Sequence, residues 1–134
     1  MKLSDIDKAG SKEPSPWLKS GDLPPQSSTL AVDGNIYVMN GSGTLAVYYK
    51  GEKVSDTNTF IVSSAGDVLL TSKDSEKLYL VNKTLARIYE LDKESKSLVR
   101  TLKAGSSEPF VDAYLLGDST IIITTKDGRI WEIK

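Results

Sequence analysis

Apolar residues fall in short runs along this chain, with polar, turn-forming residues between them, and the pattern is fullest from Asp67 to Lys103. Val68-Leu69-Leu70-Thr71 leads to a turn at Lys73-Asp74-Ser75, and Leu78-Tyr79-Leu80-Val81 leads to one at Asn82-Lys83-Thr84. Arg87-Ile88-Tyr89-Glu90-Leu91 leads to the polar turn Asp92-Lys93-Glu94-Ser95-Lys96, and Leu98-Val99-Arg100-Thr101-Leu102 closes the set. Runs this short, rich in aliphatic and aromatic residues and bounded by Asn, Asp and Ser, predict four strands joined by tight turns.

The unit recurs. Asn35-Ile36-Tyr37-Val38 aligns with Lys77-Leu78-Tyr79-Leu80 and with Thr120-Ile121-Ile122-Ile123, at offsets of 42 and 43 residues. Upstream, Leu30-Ala31-Val32-Asp33-Gly34, Leu69-Leu70-Thr71-Ser72-Lys73-Asp74 and Tyr114-Leu115-Leu116-Gly117-Asp118 each read as a strand ending in an acidic turn. Downstream, Leu45-Ala46-Val47-Tyr48 matches Ile88-Tyr89-Glu90-Leu91 and Ile130-Trp131-Glu132-Ile133. Self-similarity at this period marks a stacked array of four-stranded units. The expected fold is therefore all-β, with three four-stranded antiparallel repeats over 29–67, 68–108 and 109–134. The first copy's fourth strand, between Lys53 and Val62, is polar and weakly marked, and the third copy stops after its third strand.

Side-chain alternation predicts how the strands are buried. Ile36 with Val38, Leu78 with Leu80 and Ile121 with Ile123 share one face, while Tyr37, Tyr79 and Ile122 point to the other. Both faces are apolar, which suits a sheet packed between two others rather than one with a side in water. In the third strand Val47, Glu90 and Glu132 are equivalent, a more polar position expected near a rim.

Residues 1–28 differ in composition: they hold four of the five prolines, Pro14, Pro16, Pro24 and Pro25. Ser15 as a cap, Pro16 at the first helical position and Gly21 as a stop frame one short turn carrying Trp17 and Leu18 in an otherwise irregular arm. Trp17 is expected to pin that arm over the open edge of a core.

Composition narrows the chemistry. The chain has 134 residues, 26% charged and 39% hydrophobic, one domain's worth with a real core. Its net charge is -1, from 17 basic and 18 acidic side chains, and no Lys/Arg run builds the basic surface that nucleic acid requires, so no nucleic-acid partner is expected. There is no Cys and no His. Disulfides, thiolate sites, Ser-His-Asp catalysis and histidine-ligated zinc are all excluded. The opening Met1-Lys2-Leu3-Ser4-Asp5 turns polar before an apolar run develops, which predicts no secretory signal, and Ile121-Ile122-Ile123 is far too short to cross a bilayer. No membrane contact is expected of the chain itself.

Leu30-Ala31-Val32-Asp33-Gly34-Asn35-Ile36-Tyr37-Val38, with Ala86-Arg87-Ile88-Tyr89-Glu90-Leu91-Asp92-Lys93 and Leu98-Val99-Arg100-Thr101-Leu102, resembles the NHL-type β-propeller repeat. The arm with Trp17-Leu18-Lys19 leading into it is similar to carboxy-terminal propeller segments of uncharacterised bacterial proteins, some of which lie beyond a membrane anchor. The first copy departs from the pattern, with Thr44-Leu45 where an Arg-Ile pair belongs. The resemblance implies blades, and three are too few for a closed ring of four to eight. The expected completions are self-association into a homo-oligomer or further blades of a longer propeller. A β-trefoil, also three repeats of about 40 residues, is the alternative; it would need the Pro-rich arm to supply a strand pair.

No catalytic, metal or cofactor residues are expected. Gly41-Ser42-Gly43 lacks the third Gly, the following helix and the Lys-Ser/Thr of a phosphate loop, and reads as hairpin chemistry. Asn40-Gly41-Ser42 and Asn82-Lys83-Thr84 match the glycosylation pattern but occupy one place in the repeat, where turn geometry explains both. Asp5-Ile6-Asp7 with Gly10, Ser11 and Glu13 resembles a calcium-loop opening, yet Ala9 and Pro16 stand where oxygen ligands belong. Asp33, Asp74 and Asp118 recur in every copy, as residues that build the repeat do. The expected function is a non-catalytic binding module, a protein being one candidate ligand, contacted through Asn40, Ser42, Asn82, Lys83, Lys126 and Asp127 at the turns between second and third strands. The alternative is a fragment of a lactonase-like, metal-dependent propeller enzyme whose active site lies elsewhere.

Overall fold

The computed structural model describes residues 27–63, 66–103 and 108–134. The arm with Trp17 and the calcium-loop-like Asp5–Glu13 stretch lie outside the described residues. The first sheet runs β1 (Ser27–Val32), β2 (Ile36–Asn40), β3 (Thr44–Tyr49), β4 (Glu52–Asn58), in that spatial order. The second runs β5 (Val68–Leu70), β6 (Lys77–Asn82), β7 (Arg87–Asp92), β8 (Leu98–Lys103). The third has three strands, β9 (Phe110–Leu116), β10 (Thr120–Thr125) and β11 (Ile130–Ile133), with β10 in the middle. Every neighbouring pair is antiparallel.

Each described strand pairs only within its own repeat. That separates the molecule from a trefoil, in which hairpins of different repeats join one barrel. The first strands adjoin from sheet to sheet, β5 lying between β1 and β9. The Leu69 N–H donates to Thr29 Oγ1 at 3.0 Å across the first of these junctions. The sheets therefore fan out from a line of first strands, as blades do.

Equivalent positions repeat at atomic detail. Tyr37 pairs with Val47 in the first sheet, Tyr79 with Glu90 in the second and Ile122 with Glu132 in the third. The outer strands shift register at matching places, between Val47 and Tyr48 on β3 and between Glu90 and Leu91 on β7. A bulge there bends the outer strand and increases its twist.

Two apolar layers hold the stack. Between the first two sheets Tyr37, Met39, Leu45 and Val47 meet Leu69, Leu78, Leu80 and Leu91. Between the second and third, Tyr79, Val81 and Ile88 meet Ala113, Ile121 and Ile123. Most of these side chains are fully buried, and each contributes about 1.5–3 kcal/mol of transfer free energy. Alternation on β6 thus serves two layers at once, with Leu78 and Leu80 in the first and Tyr79 and Val81 in the second.

Glu90 departs from the expected rim position. It is 5% exposed, and Val47 is buried too, whereas Glu132 is exposed. The Glu90 carboxylate accepts from Arg100 Nε at 3.2 Å and Nη2 at 3.4 Å. Tyr79, opposite on β6, also hydrogen-bonds to it. Paired in this way a carboxylate remains in the layer; unpaired, burial would be prohibitive.

Candidate functional site

Antiparallel order places the loops at two ends of the stack. One end gathers the β2–β3, β6–β7 and β10–β11 turns and the connectors between sheets; the opposite end gathers the remaining hairpin turns. All six residues singled out from sequence lie at the first end, in or beside its three turns.

Several of them are committed to their own turns. Asn40 Oδ1 accepts from the Ser42 N–H at 3.0 Å, Ser42 Oγ at 2.8 Å and the Thr44 N–H at 2.9 Å. Asn82 is buried, its Oδ1 accepting from the Leu85 N–H at 2.9 Å. Asp127 accepts from Thr125 Oγ1 and pairs with Arg129 Nε at 3.5 Å. Lys83 and Lys126 serve through their backbones: the Lys83 carbonyl accepts from the Phe110 N–H and the Lys126 N–H donates to the Pro109 carbonyl, each at 2.9 Å. These bonds lash the sheet-to-sheet connector to the turns on both sides.

The same device operates on the connector from β4 to β5, and there it displays something. The Thr59 N–H and Oγ1 donate to the Gly43 carbonyl at 2.9 and 2.7 Å, and the Ser63 N–H donates to the Gly41 carbonyl at 3.4 Å. Thr59, Ile61 and Ser63 are buried; Phe60 and Val62, between them, are 88% and 74% exposed. Phe60 sits at φ +60°, a left-handed conformation that is strained for a bulky side chain, and its N–H donates to Asn58 Oδ1 at 2.8 Å. Gly43, at φ +93°, permits the close approach, because a Cβ there would strike the Ile61 carbonyl oxygen.

At the opposite end a cavity of about 470 Å³ opens between the first two sheets, with Asp33, Asn35, Tyr37, Lys73, Glu76 and Lys93 among its walls. Asp33 Oδ2 lies 2.6 Å from Lys93 Nζ, both side chains largely buried. The carboxylate also accepts from the Asn35 N–H at 2.7 Å and the Tyr37 hydroxyl at 3.3 Å. Burial pushes the Asp33 carboxyl up, but the Lys93 hydrogen bond, the Asn35 N–H, the Lys93 charge and the Tyr37 hydroxyl together overcome it and hold the pKa below its ordinary value. Lys93 donates further to the carbonyls of Ser75 at 2.9 Å and Ser72 at 3.0 Å, which occupies all three ammonium hydrogens. The pair is a clasp between blades. Asp74 and Asp118, its counterparts in the sequence pattern, are exposed beside Tyr79 at a smaller cleft of about 310 Å³ between the second and third sheets.

No protein-family model matches the sequence, and no curated protein does. Solved structures do match. The β-propeller domain of Cps50 (Swd1) from Myceliophteria thermophila is similar at a TM-score of 0.60 and 10% identity, over 81% of this chain and 36% of that one. The WD40 repeats of RRP9 give 0.60 and 13%, over 87% and 39%. BamB from Moraxella catarrhalis gives 0.57 and 18%, over 81% and 33%. The chain is a run of β-propeller blades. It spans about a third of the length of these structures, and so forms part of a propeller.

Two features of the ends were not read from sequence. Phe60 and Val62 alternate with Thr59, Ile61 and Ser63 as a strand would, but lie in a connector where no strand pairing reveals the pattern. Lys93 stands in an ordinary polar turn, and only stacking brings it to Asp33.

Proposed function

We propose that this chain is a non-catalytic interaction module whose recognition surface is the connector end of the blade stack, with a protein as its ligand. The observation that carries this is Phe60, an aromatic side chain held almost fully in solvent at a strained backbone angle by a bracket of buried neighbours. Strain of this kind persists where the surroundings enforce it, and exposed aromatic residues on rigid supports are the usual anchors of protein interfaces. Val62 and Leu85, also exposed at this end, add apolar area, while Lys83, Lys126 and Asp127 provide a polar margin. The connector itself, 59–63, carries no basic residue to hold an anionic membrane. Further blades, from a longer chain or from a second copy, complete the stack. The NHL character of the repeat, resting on Asp33-Gly34-Asn35 and Arg87-Ile88, belongs to the same proposal.

Panning a phage-displayed random peptide library on the immobilised protein tests the surface. Selected peptides are expected to lose at least tenfold in affinity for a Phe60→Ala/Val62→Ala variant that keeps the parent's circular dichroism. Peptides that bind parent and variant alike would overturn it.

A further inference from the structure

At one place on the connector end the repeat is broken by charge. Thr44, Arg87 and Arg129 are equivalent, each standing one residue ahead of the aligned Leu45, Ile88 and Ile130. In the first sheet Thr44 lies opposite Asn58, a neutral pair, and Asn58 Oδ1 accepts from the Phe60 N–H. In the third, Arg129 is neutralised by Asp127 at 3.5 Å. In the second, Arg87 lies opposite Lys103 on the neighbouring strand, and both are exposed. Side chains directly opposed across two strands stand about 4.5–5.5 Å apart at Cβ, and like charges there are destabilising. Neither cation has an ion-pair partner among the described residues. The turn that precedes Arg87, 82–86, contains no acidic residue and adds a further cation, Lys83. The second sheet thus holds uncompensated positive charge where the equivalent positions of its neighbours are neutral or paired.

Arg87 shares its strand face with Tyr89 and Leu91, which pack in the layer toward the first sheet. Ile61 enters that same layer from the connector, with the exposed Phe60 and Val62 on either side of it. We propose that Arg87 and Lys103 receive carboxylates of the protein ligand, so that the segment recognised at the connector end is acidic beside its apolar anchors. This rests on the reading of that end as the recognition surface, and it names the chemistry of the partner. The Arg87 guanidinium offers a planar fork that matches a carboxylate, and Lys103 supplies a second charge on a flexible stem. A carboxylate arriving between them relieves a repulsion as well as making hydrogen bonds. Asp127 and Glu108 are exposed at the same end and repel an extended anionic surface, whether lipid or nucleic acid, whereas a peptide can place its carboxylates on the cations alone.

Peptides taken from the random library by panning on the parent are expected to be enriched in Asp and Glu. Their affinity, read by fluorescence anisotropy, is expected to fall about tenfold for Arg87→Gln/Lys103→Gln, and to fall for the parent itself as salt rises from about 50 mM to about 500 mM. The double variant is expected to unfold at no lower temperature than the parent, because it removes a like-charge pair; a lower one would make the pair structural and count against the inference. Peptides with no acidic enrichment, held alike by parent and double variant but lost on Phe60→Ala/Val62→Ala, would sink the inference and leave the reading of the connector end intact. Peptides lost on the double variant yet held by Phe60→Ala/Val62→Ala would do the opposite. Binding of the parent to phosphatidylserine vesicles or to polyuridylate at physiological salt, abolished in the same double variant, would assign the charge to lipid or RNA and overturn the inference.

Discussion

Asp33 Oδ2 and Lys93 Nζ meet at 2.6 Å although they belong to different sheets, and both the carboxylate and the ammonium make further hydrogen bonds. An ion pair this well enclosed is weak evidence of net stabilisation, but removing one partner leaves the other charged and buried.

Lys93→Met is accordingly expected to destabilise the protein by about 3 kcal/mol at pH 7, measured by urea denaturation. The sign with pH follows from the Asp33 carboxyl. Its pKa lies below the ordinary 3.8 in the folded parent, so its contribution is complete above that value and is lost as pH falls further. The gap between parent and variant should narrow as pH falls below 3.8 and through the lower folded-state value; a gap that widens in acid would contradict the clasp.

Gly43 and Gly128 provide a matched comparison. Both have positive φ, +93° and +85°, but only Gly43 would drive a new Cβ into a neighbour, the Ile61 carbonyl. Gly128→Ala is expected to lose about 1 kcal/mol from backbone strain alone. Gly43→Ala should lose about 3 kcal/mol, since the connector must move off the turn and its bonds from Thr59 lengthen. Thermal unfolding of the two variants decides the order.

Phe60→Gly relieves the left-handed strain that Phe60→Ala retains. The glycine variant is expected to be about 1 kcal/mol more stable than the alanine one, while both lose peptide binding equally. Stability gained where recognition is lost is the pattern of a residue kept for contact. Equal stability of the two variants would show that φ at this position relaxes.

At high pH the layers between blades should weaken. Burial, followed by the nearby Glu90 charge and hydrogen bond, pushes the Tyr79 phenol above its ordinary value of 10; burial does the same for Tyr37. A raised folded-state pKa contributes stability that is complete below pH 10 and lost as pH rises past it. Tyr79→Phe is expected to flatten that alkaline decline, followed by circular dichroism between pH 9 and pH 12.

Most of the blade pattern was legible because its strands are buried on both faces, which forces continuous apolar runs such as Leu78–Val81 between turns rich in Asn and Asp. β4 was less so: Glu52–Asn58 is exposed along most of its length, and its strand character comes from pairing with β3 rather than from its own side chains. Glu90 misled, since a charged residue in the third strand reads as rim until Tyr79 and Arg100 are placed around it. The turn residues were located, but location does not say which atoms are already engaged, as they are at Asn40 and Asn82. Phe60 was invisible for another reason: positive φ is written in sequence by glycine, and here a phenylalanine adopts it.

Strand pairing confined to single repeats has a consequence for how the molecule is made. Every described hairpin joins neighbours in the chain, so loop-closure entropy is small and each sheet can assemble as soon as its own residues leave the ribosome. A lone sheet, however, has two apolar faces and one partner at most. Assembly order is therefore set by docking rather than by hydrogen bonding, and the interval between forming a sheet and covering it is when this chain is most open to aggregation.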